Sequence, residues 1–306
     1  MFKKNLILTF YAQTPVHMGS GVSVSYVDNP IQREKHTDFP ILASSGIKGV
    51  IRELALRIWN NEEKVNVIFG PEKGGEEYAS CISLTDAKIL LYPVRSVKGV
   101  FAYITCPYVL NRFKNELKSI GINELPQIPL LTKEDNKEKI LVCSNSELKI
   151  DNNKVVLEEF VFDIDNSQKI NNIDDLVKKI SYYLPDEVSS NLDKHFAIVS
   201  DDVFKDFVKY AVEIRTRIRI DQTTGTVAEG ALFTIELVPS ESVFYEFLFI
   251  NDPYKKEHDK IKDAESVAHE MKNLLNNTII QLGGDETLGM GLMKVKVYEK
   301  GVEGNK

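Results

Sequence analysis

Cysteine is scarce: Cys81, Cys106 and Cys143 are the only three in 306 residues, far apart and without a C-x-x-C spacing. That excludes a disulfide framework and a structural zinc site, and it points to a reducing cytoplasm. No run of 18 apolar residues occurs, so the sequence offers no helical membrane span. The basic start MFKKNLILTF leads into a short alternating stretch with no small-residue cleavage site, which argues against a signal peptide. A positive excess is missing as well, since 38 Lys and Arg face 45 Asp and Glu for a net charge of -7. Such a chain does not coat nucleic acid with its whole surface, although a local basic groove stays open to it.

What is present is ordinary for a globular protein: 43% hydrophobic and 27% charged side chains, enough for one large core or two smaller ones. Charge is unevenly placed. Acids crowd into DEVSSNLD, SDDVF and NDPYKKEHD, while segments 33–57, 95–114 and 215–219 are locally basic. Periodicity predicts a strand over 4–12 and a helix over 44–60, with Ile47, Val50, Ile51, Leu54, Ala55 and Ile58 at helical spacing and Ser44 or Ser45 as its N-cap. Strands follow at 82–92 and 99–106, then a helix at 107–120 opened by Pro107 and closed by Gly121. Residues 122–194 are polar and rich in Asn and Lys, with weak strands at 139–150 and 154–164 and a helix at 173–184, and they read as an insertion. Beyond them come FAIVS, a helix begun by Ser200 and Asp201, and the strands VEIRTRIRI, ALFTIELV and SVFYEFLFI. A long helix at 258–278 and a last strand at 291–298 complete the chain. This order favours an α+β fold with antiparallel sheet, and two ferredoxin-like halves fused through an insertion fit it, without a visible repeat.

Reactive groups concentrate between His17 and Arg52. A loop of this length between a first strand and a first helix is usually functional, and it holds His17, Asp28, Arg33, Glu34, His36 and Asp38. The competing reading is turn chemistry at Asp28-Asn29-Pro30 and Thr37-Asp38, with surface histidines. The helix that follows begins SSGIKG, so free N–H groups, a hydroxyl and Lys48 share its N-terminus with Arg52 one turn on, an anion site unless it is only a solvated helix face. VEIRTRIRI puts Arg215, Arg217 and Arg219 on one strand face, about 6.6 Å apart, as a track for a polyanion or as a charged edge. QLGGDETLGMGLMKV crowds glycines between a helix and a strand, where backbone can approach a ligand closely or simply turn. It is no Walker loop, and Gly283-Gly284-Asp285-Glu286 also matches the short string of palm-type nucleotidyl cyclases, a remote alternative resting on Asp285 and Glu286.

Together, YAQTPVHMGSG, VDNPIQREKHTDFPILASSGIKG, SLTDAKILLYPVRSVKGVFAYITCPYVLNRF, EIRTRIRIDQTTGTVAEGALFTIELVP and GGDETLGMGL resemble the RAMP superfamily. VDNPIQREKHT and CPYVLNRF narrow the resemblance to the backbone subunits of type III-B (Cmr) CRISPR effector complexes. The resemblance covers about residues 5–113 and 195–298 and leaves the insertion uncovered.

It implies an α+β fold: a ferredoxin-like palm, a modified RNA-recognition motif, over 1–121 and 195–300, carrying a thumb hairpin, with an inserted subdomain at 122–194. It implies copies stacked in a helical filament along a guide CRISPR RNA, other Cmr subunits as partners, no membrane, and cutting of single-stranded target RNA beside each thumb in antiviral defence. Asp28 matches the aspartate on which cutting depends, His17 the histidine of the first glycine loop, and Glu229 lies in the hairpin segment implicated nearby. Ser45 and Lys48 match the Ser-x-x-Lys-Gly guide contact, and Gly289 and Gly291 the C-terminal glycine loop. Electrostatic grip would come from Lys48, Arg52, Arg215 and Arg217 through phosphates, so guide sequence should not matter. Physically, RNA cuts itself when its 2'-hydroxyl attacks the adjacent phosphorus in line, and the protein must hold that geometry. An aspartate is a weak general base, which favours Asp28 as an orienting group or as a ligand to Mg2+ or Mn2+ shared with RNA. A non-catalytic RNA-binding scaffold is the alternative from another class.

Overall fold

The alternating segment KNLILTFYA forms β1 (Lys4–Ala12), whose last seven residues are all buried. The computed structural model describes residues 2–22, 26–72, 78–131, 138–151, 153–166, 170–254 and 261–300. After the long loop and a two-residue β2 (Ile41–Leu42), the periodic stretch forms α1 (Ser44–Trp59), burying Ile47, Ile51 and Ala55. Its N-cap is Ala43 rather than Ser44 or Ser45. The cap is supplied from outside, because Ser44 donates its backbone N–H to Asp86 Oδ1 at 2.8 Å. Asn60 closes the helix with a left-handed φ of 46° and α2 (Glu62–Phe69) follows, capped by the Asn61 side chain.

The strand expected over 82–92 is split into β3 (Ile82–Leu84) and β4 (Ala87–Arg95). Thr85 and Asp86 cause the break: Thr85 exchanges bonds with the Phe247 backbone while Asp86 turns to α1. β5 (Phe101–Thr105) and α3 (Pro107–Ser119) follow, with Pro107 in the first helical turn and Gly121 at φ 81° just past its end. In the polar stretch, β6 (Lys139–Val142) is shorter than expected, and β7 (Lys154–Leu157), β8 (Phe160–Ile164), α4 (Ile170–Ser181), α5 (Asp186–Ser189) and α6 (Leu192–His195) lead to β9 (Phe196–Ile198). Ser200 caps α7 (Asp201–Tyr210) through Val203 N–H, as its sequence predicts. Then come β10 (Glu213–Ile220), β11 (Val227–Leu237), β12 (Val243–Ile250), α8 (Ala264–Leu275), β13 (Ile279–Gln281) and β14 (Leu292–Glu299). The helix expected from 258 begins at Ala264 because Asp263 and Ser266 build a reciprocal capping box there; 258–260 lie outside the described residues.

The fold is α+β around a large mixed sheet. Twelve strands join it in the order β13-β14-β1-β12-β4-β5-β9-β6-β8-β7, with β2 on β4 and β3 on β12. The strands of 122–194 extend this sheet beyond β9, which runs parallel to β5: β6 is antiparallel to β9, β8 parallel to β6, and β7 antiparallel to β8. Helices α1, α3 and α8 bury Ile51, Phe113 and Met271 in the same apolar cluster. β10 and β11 stand apart as a two-stranded hairpin, and its far end is closed by Gly225 at φ 70° and by Asp221 accepting the N–H groups of Thr223 and Thr224.

Candidate nucleic-acid interface

The long loop after β1 is laid along the root of the hairpin. Asn29 N–H donates to Thr234 O at 3.1 Å and Glu236 N–H to Asn29 O at 3.0 Å, so the loop pairs with β11 like a short extra strand. That registers Asp28 on Thr234. Asp28 Oδ2 accepts from Thr234 N–H at 2.7 Å and from its hydroxyl at 2.9 Å. These two bonds hold the exposed carboxyl below its usual pKa, so it is ionised at neutral pH. Thr216 lies directly across from Thr234, and Ile218 from Leu232. Side chains two apart share a strand face, so Asp28 adjoins a face bearing Ile214, Ile218 and Leu232, exposed by 47%, 53% and 65%.

His17 reaches the same strand from the other arm of the loop. Its Nδ1 lies 2.7 Å from Glu236 O, and a carbonyl only accepts, so Nδ1 donates there and Nε2 faces away from that bond. A Cβ at Gly19 would come within 2.9 Å of that Nε2. The glycine-rich loop closes behind: Gly284 N–H donates to His17 O at 2.8 Å, and a Cβ on Gly283 would stand 2.3 Å from the same oxygen. Gly291 is buried against Leu282 O, where a Cβ would fall at 1.9 Å. At these two positions the glycines admit the chain's own backbone. Gly289, left-handed at φ 72°, is exposed with open space around it.

At the start of α1, Ser45 is exposed and Lys48 half-buried. Lys48 has no counterion among the described residues, and its pKa is lowered by burial and by the neighbouring Arg52 charge. A desolvated ammonium beside free helix N–H groups is stabilised by any anion that reaches it. Arg52 is already engaged, with Nη1 donating to Gly70 O at 2.6 Å and Nη2 to Asn66 Oδ1 at 2.7 Å. The β10 arginines are likewise committed: Arg215 pairs with Glu213 and reaches Met290 Sδ, and Arg217 Nη2 lies 2.8 Å from Asp285 Oδ1. This face of the strand turns half-buried toward the body while the isoleucines turn outward, so three free guanidinium groups in line are not what the strand presents. Only Arg219 is exposed among them. The side chain of Glu229 lies outside the described residues.

Among the described residues no group of three His, Cys, Asp or Glu is placed to cage a metal, and Asp285, needed for a cyclase, is spent on Arg217. Asp28 keeps an oxygen, Oδ1, outside the Thr234 bonds. One carboxylate suits an ion that keeps its waters and takes its remaining ligands from RNA phosphate.

Periodicity and motif spacing miss Thr234 and Glu236, and they name Arg33 only as one of several polar groups in the loop. Glu236 is 3% exposed; its Oε1 accepts from Arg33 Nη2 at 2.6 Å and its Oε2 from Ile31 N–H at 2.9 Å. Arg33 Nη1 also donates to Asp38 O and Val208 O. A glutamate inside the apolar ALFTIELV was the available signal, since a buried carboxylate requires a partner. Elsewhere, a cleft of about 1120 Å³ opens between β8 and α7, where Glu138, Glu158, Glu159, Asp163 and Asp206 surround the aromatic rings of Phe160 and Tyr210. Lys154 also lines the cleft and Arg95 pairs with Glu158 and Glu159, yet the acids stay in excess, which disfavours a phosphate path.

The RAMP superfamily model matches residues 9–294. The chain is 41% identical over 300 residues to the CRISPR system Cmr endoribonuclease Cmr4 of Pyrococcus furiosus, covering 97% of this chain and 96% of that protein. It is similar in structure to oligomeric Cmr4 from Pyrococcus furiosus, with a TM-score of 0.75, 34% identity and 97% and 98% of the two chains covered. It also shares its fold with a chain of the type III-B Cmr-beta complex bound to cognate target RNA, with a TM-score of 0.73, 22% identity and 97% and 98% covered.

Proposed function

The chain belongs to the RAMP superfamily, and on that premise we propose that it is the backbone subunit of a type III-B (Cmr) CRISPR ribonucleoprotein, an endoribonuclease that grips guide RNA and cuts complementary target RNA in antiviral defence. The observation that carries this reading is Asp28: an ionised, exposed carboxylate held by two bonds from Thr234 at the root of a projecting hairpin whose adjoining face is apolar. Relatives that carry the names Cmr endoribonuclease and oligomeric Cmr4 support it. Copies would stack into a filament with other Cmr subunits, in the cytoplasm. Three buried, unpaired cysteines suit that compartment, and among the described residues no helix is long and apolar enough to cross a membrane.

In this reading the palm is ferredoxin-like, built on the antiparallel block β14-β1-β12-β4 with its helices, and the β10–β11 hairpin is the thumb. Guide phosphates lie at the α1 N-terminus on Lys48 and the Ser45 hydroxyl, so binding is indifferent to sequence. The apolar hairpin face parts stacked bases and turns a nucleotide beside Asp28, where its 2'-hydroxyl can align with the adjacent phosphorus. With its pKa lowered, Asp28 is a poor proton acceptor, and it works by orienting that hydroxyl; its Oδ1 is the atom that would hold a hydrated Mg2+ or Mn2+. Such an ion, when bound, neutralises charge on the phosphate. His17 turns Nε2 toward a phosphate oxygen, its ring fixed through Nδ1.

The test assembles the chain with its partner subunits and a loaded guide, adds end-labelled complementary RNA and Mg2+, and compares wild type with Asp28→Ala. Regularly spaced cuts lost in the variant, with assembly intact, are expected. Cuts that survive the substitution would leave a scaffold and move the chemistry to another chain.

A further inference from the structure

Two candidate groups on separate arms of one loop converge on a single residue that neither sequence motif contains. Glu236 holds the Asp28 arm by its side chain, through Ile31 N–H at 2.9 Å and Arg33 Nη2 at 2.6 Å. It holds the His17 ring by its main chain, through O to Nδ1 at 2.7 Å. Its own N–H donates to Asn29 O at 3.0 Å, one residue beyond Asp28. Four bonds from one residue therefore fix both arms relative to each other.

From this geometry we infer that Glu236 is the positioning residue of the cleavage site, acting through the 27–33 loop on Asp28 and through the imidazole tautomer on His17. It touches no substrate. The carboxylate is nearly sealed from solvent, and Arg33, itself 17% exposed on its side chain, is its counterion. A buried pair of this kind leaves an uncompensated charge when one member is removed, so a conserved net charge alone does not preserve the arrangement. Arg33 also spans to Val208 O at the end of α7 and to Asp38 O. The loop is thus clamped between the hairpin root and the helix that leads into it, which keeps Asp28 on Thr234 when RNA pulls on the hairpin. The main-chain bond to His17 survives any side-chain change at 236 only as long as β11 keeps its place. The predicted defect is therefore larger at Asp28 than at His17.

This inference rests on the proposed cleavage at Asp28, and the experiment separates the two. Glu236→Ala and Glu236→Gln are made in the full chain. The amide of glutamine keeps an acceptor for Ile31 while losing the charge on Arg33. In the first arm, deuterium exchange of the free chain is followed across peptides spanning 26–33. Faster exchange in alanine than in glutamine, and in glutamine than in wild type, is expected; unchanged exchange in both variants would overturn the inference whether or not the protein cuts RNA. In the second arm, the assembled complex is given saturating target. Target affinity should stay within about twofold while the single-turnover cleavage rate falls roughly 10- to 100-fold in alanine, the range for lost supporting contacts, and less in glutamine. Equal losses of affinity and rate would mean a folding role only and would overturn it. Loosened loop exchange with cleavage unaffected in both Glu236→Ala and Asp28→Ala would sink the proposed function and leave the anchoring role of Glu236 standing.

Discussion

Replacing Glu246 with glutamine should stabilise the protein by an amount that grows with pH. Glu246 lies in β12, between β1 and β4, with no exposed surface and with neither carboxylate oxygen hydrogen-bonded among the described residues. Burial, reinforced by the charge of Asp86, pushes its pKa well above the ordinary value of 4.5. A raised folded pKa means that the native state keeps a proton the unfolded chain has released. Its contribution is fully present below the unfolded pKa and is lost as pH rises toward the folded one, at about 1.4 kcal/mol per pH unit. Over two pH units between the unfolded and the folded pKa the loss is about 3 kcal/mol. Glutamine keeps the volume and both buried polar atoms, so the substitution removes ionisation and little else. An unfolding entropy of about 0.6 kcal/mol/K for a chain of this length converts the difference to about 5 °C. Calorimetry of both proteins at pH 5, 6 and 7 should therefore show melting temperatures that start within about 1 °C and diverge to about 4 to 5 °C. Curves that run parallel over this range would refute the burial argument.

Lys48→Gln should weaken guide binding for every guide sequence and reduce the slope of log affinity against log salt by about one, measured by filter binding across a salt series. Arg52→Gln should leave that slope unchanged and lower the melting temperature instead, because its two bonds go to Gly70 O and Asn66. Thr234→Val keeps the backbone donor to Asp28 and removes the hydroxyl donor; cleavage should fall roughly 3- to 10-fold, the weight of one hydrogen bond, and Thr234→Ser should restore it. Since Asp28 is already ionised with a lowered pKa, none of these variants should introduce a pH break between 5 and 8 that depends on Asp28. A wild-type rate in Thr234→Val would show that the hydroxyl does not hold the carboxylate in the working complex.

Local signals were legible and distant ones were not. Pro107, Gly121 and Ser200 mark helix ends by chemistry confined to a few residues, and the helices begin and end there. The α1 cap escaped because its donor meets Asp86, 42 residues away, and the β3–β4 break escaped because Thr85 answers to Phe247. The same reason hid half of the site. Asp28 stands out as a loop carboxylate in a motif, whereas Thr234, 206 residues away, has no pattern of its own. Strand alternation placed the β10 arginines on one face correctly but carried no information about which face meets the protein body. Asp285 and Met290 decide that from the far end of the chain. Glycine density similarly pointed to close backbone approach, and only the structure gives the approached atom, the carbonyl of His17.

How an acidic chain holds a polyanion follows from where its cations are spent. Arg33, Arg52, Arg112, Arg215 and Arg217 all face acceptors of the protein itself, Arg112 on Glu34 at 2.6 Å. They order the loop, α2 and the hairpin rather than the ligand. Acids gather at the cleft between β8 and α7. Cations left without a carboxylate partner among the described residues include the half-buried Lys48 at a helix N-terminus, the exposed Lys35 in the long loop and the exposed Arg219 on the hairpin. A grip built this way is weak per subunit, because each phosphate contact contributes only its own counterion release. Strong binding must then come from repetition, each added copy on one RNA making the next attachment intramolecular. The expected signature is a steep dependence of affinity on RNA length in units of the subunit spacing, with short oligonucleotides held poorly by the lone chain. Tight binding of a six-nucleotide RNA by monomer would contradict that division of charge.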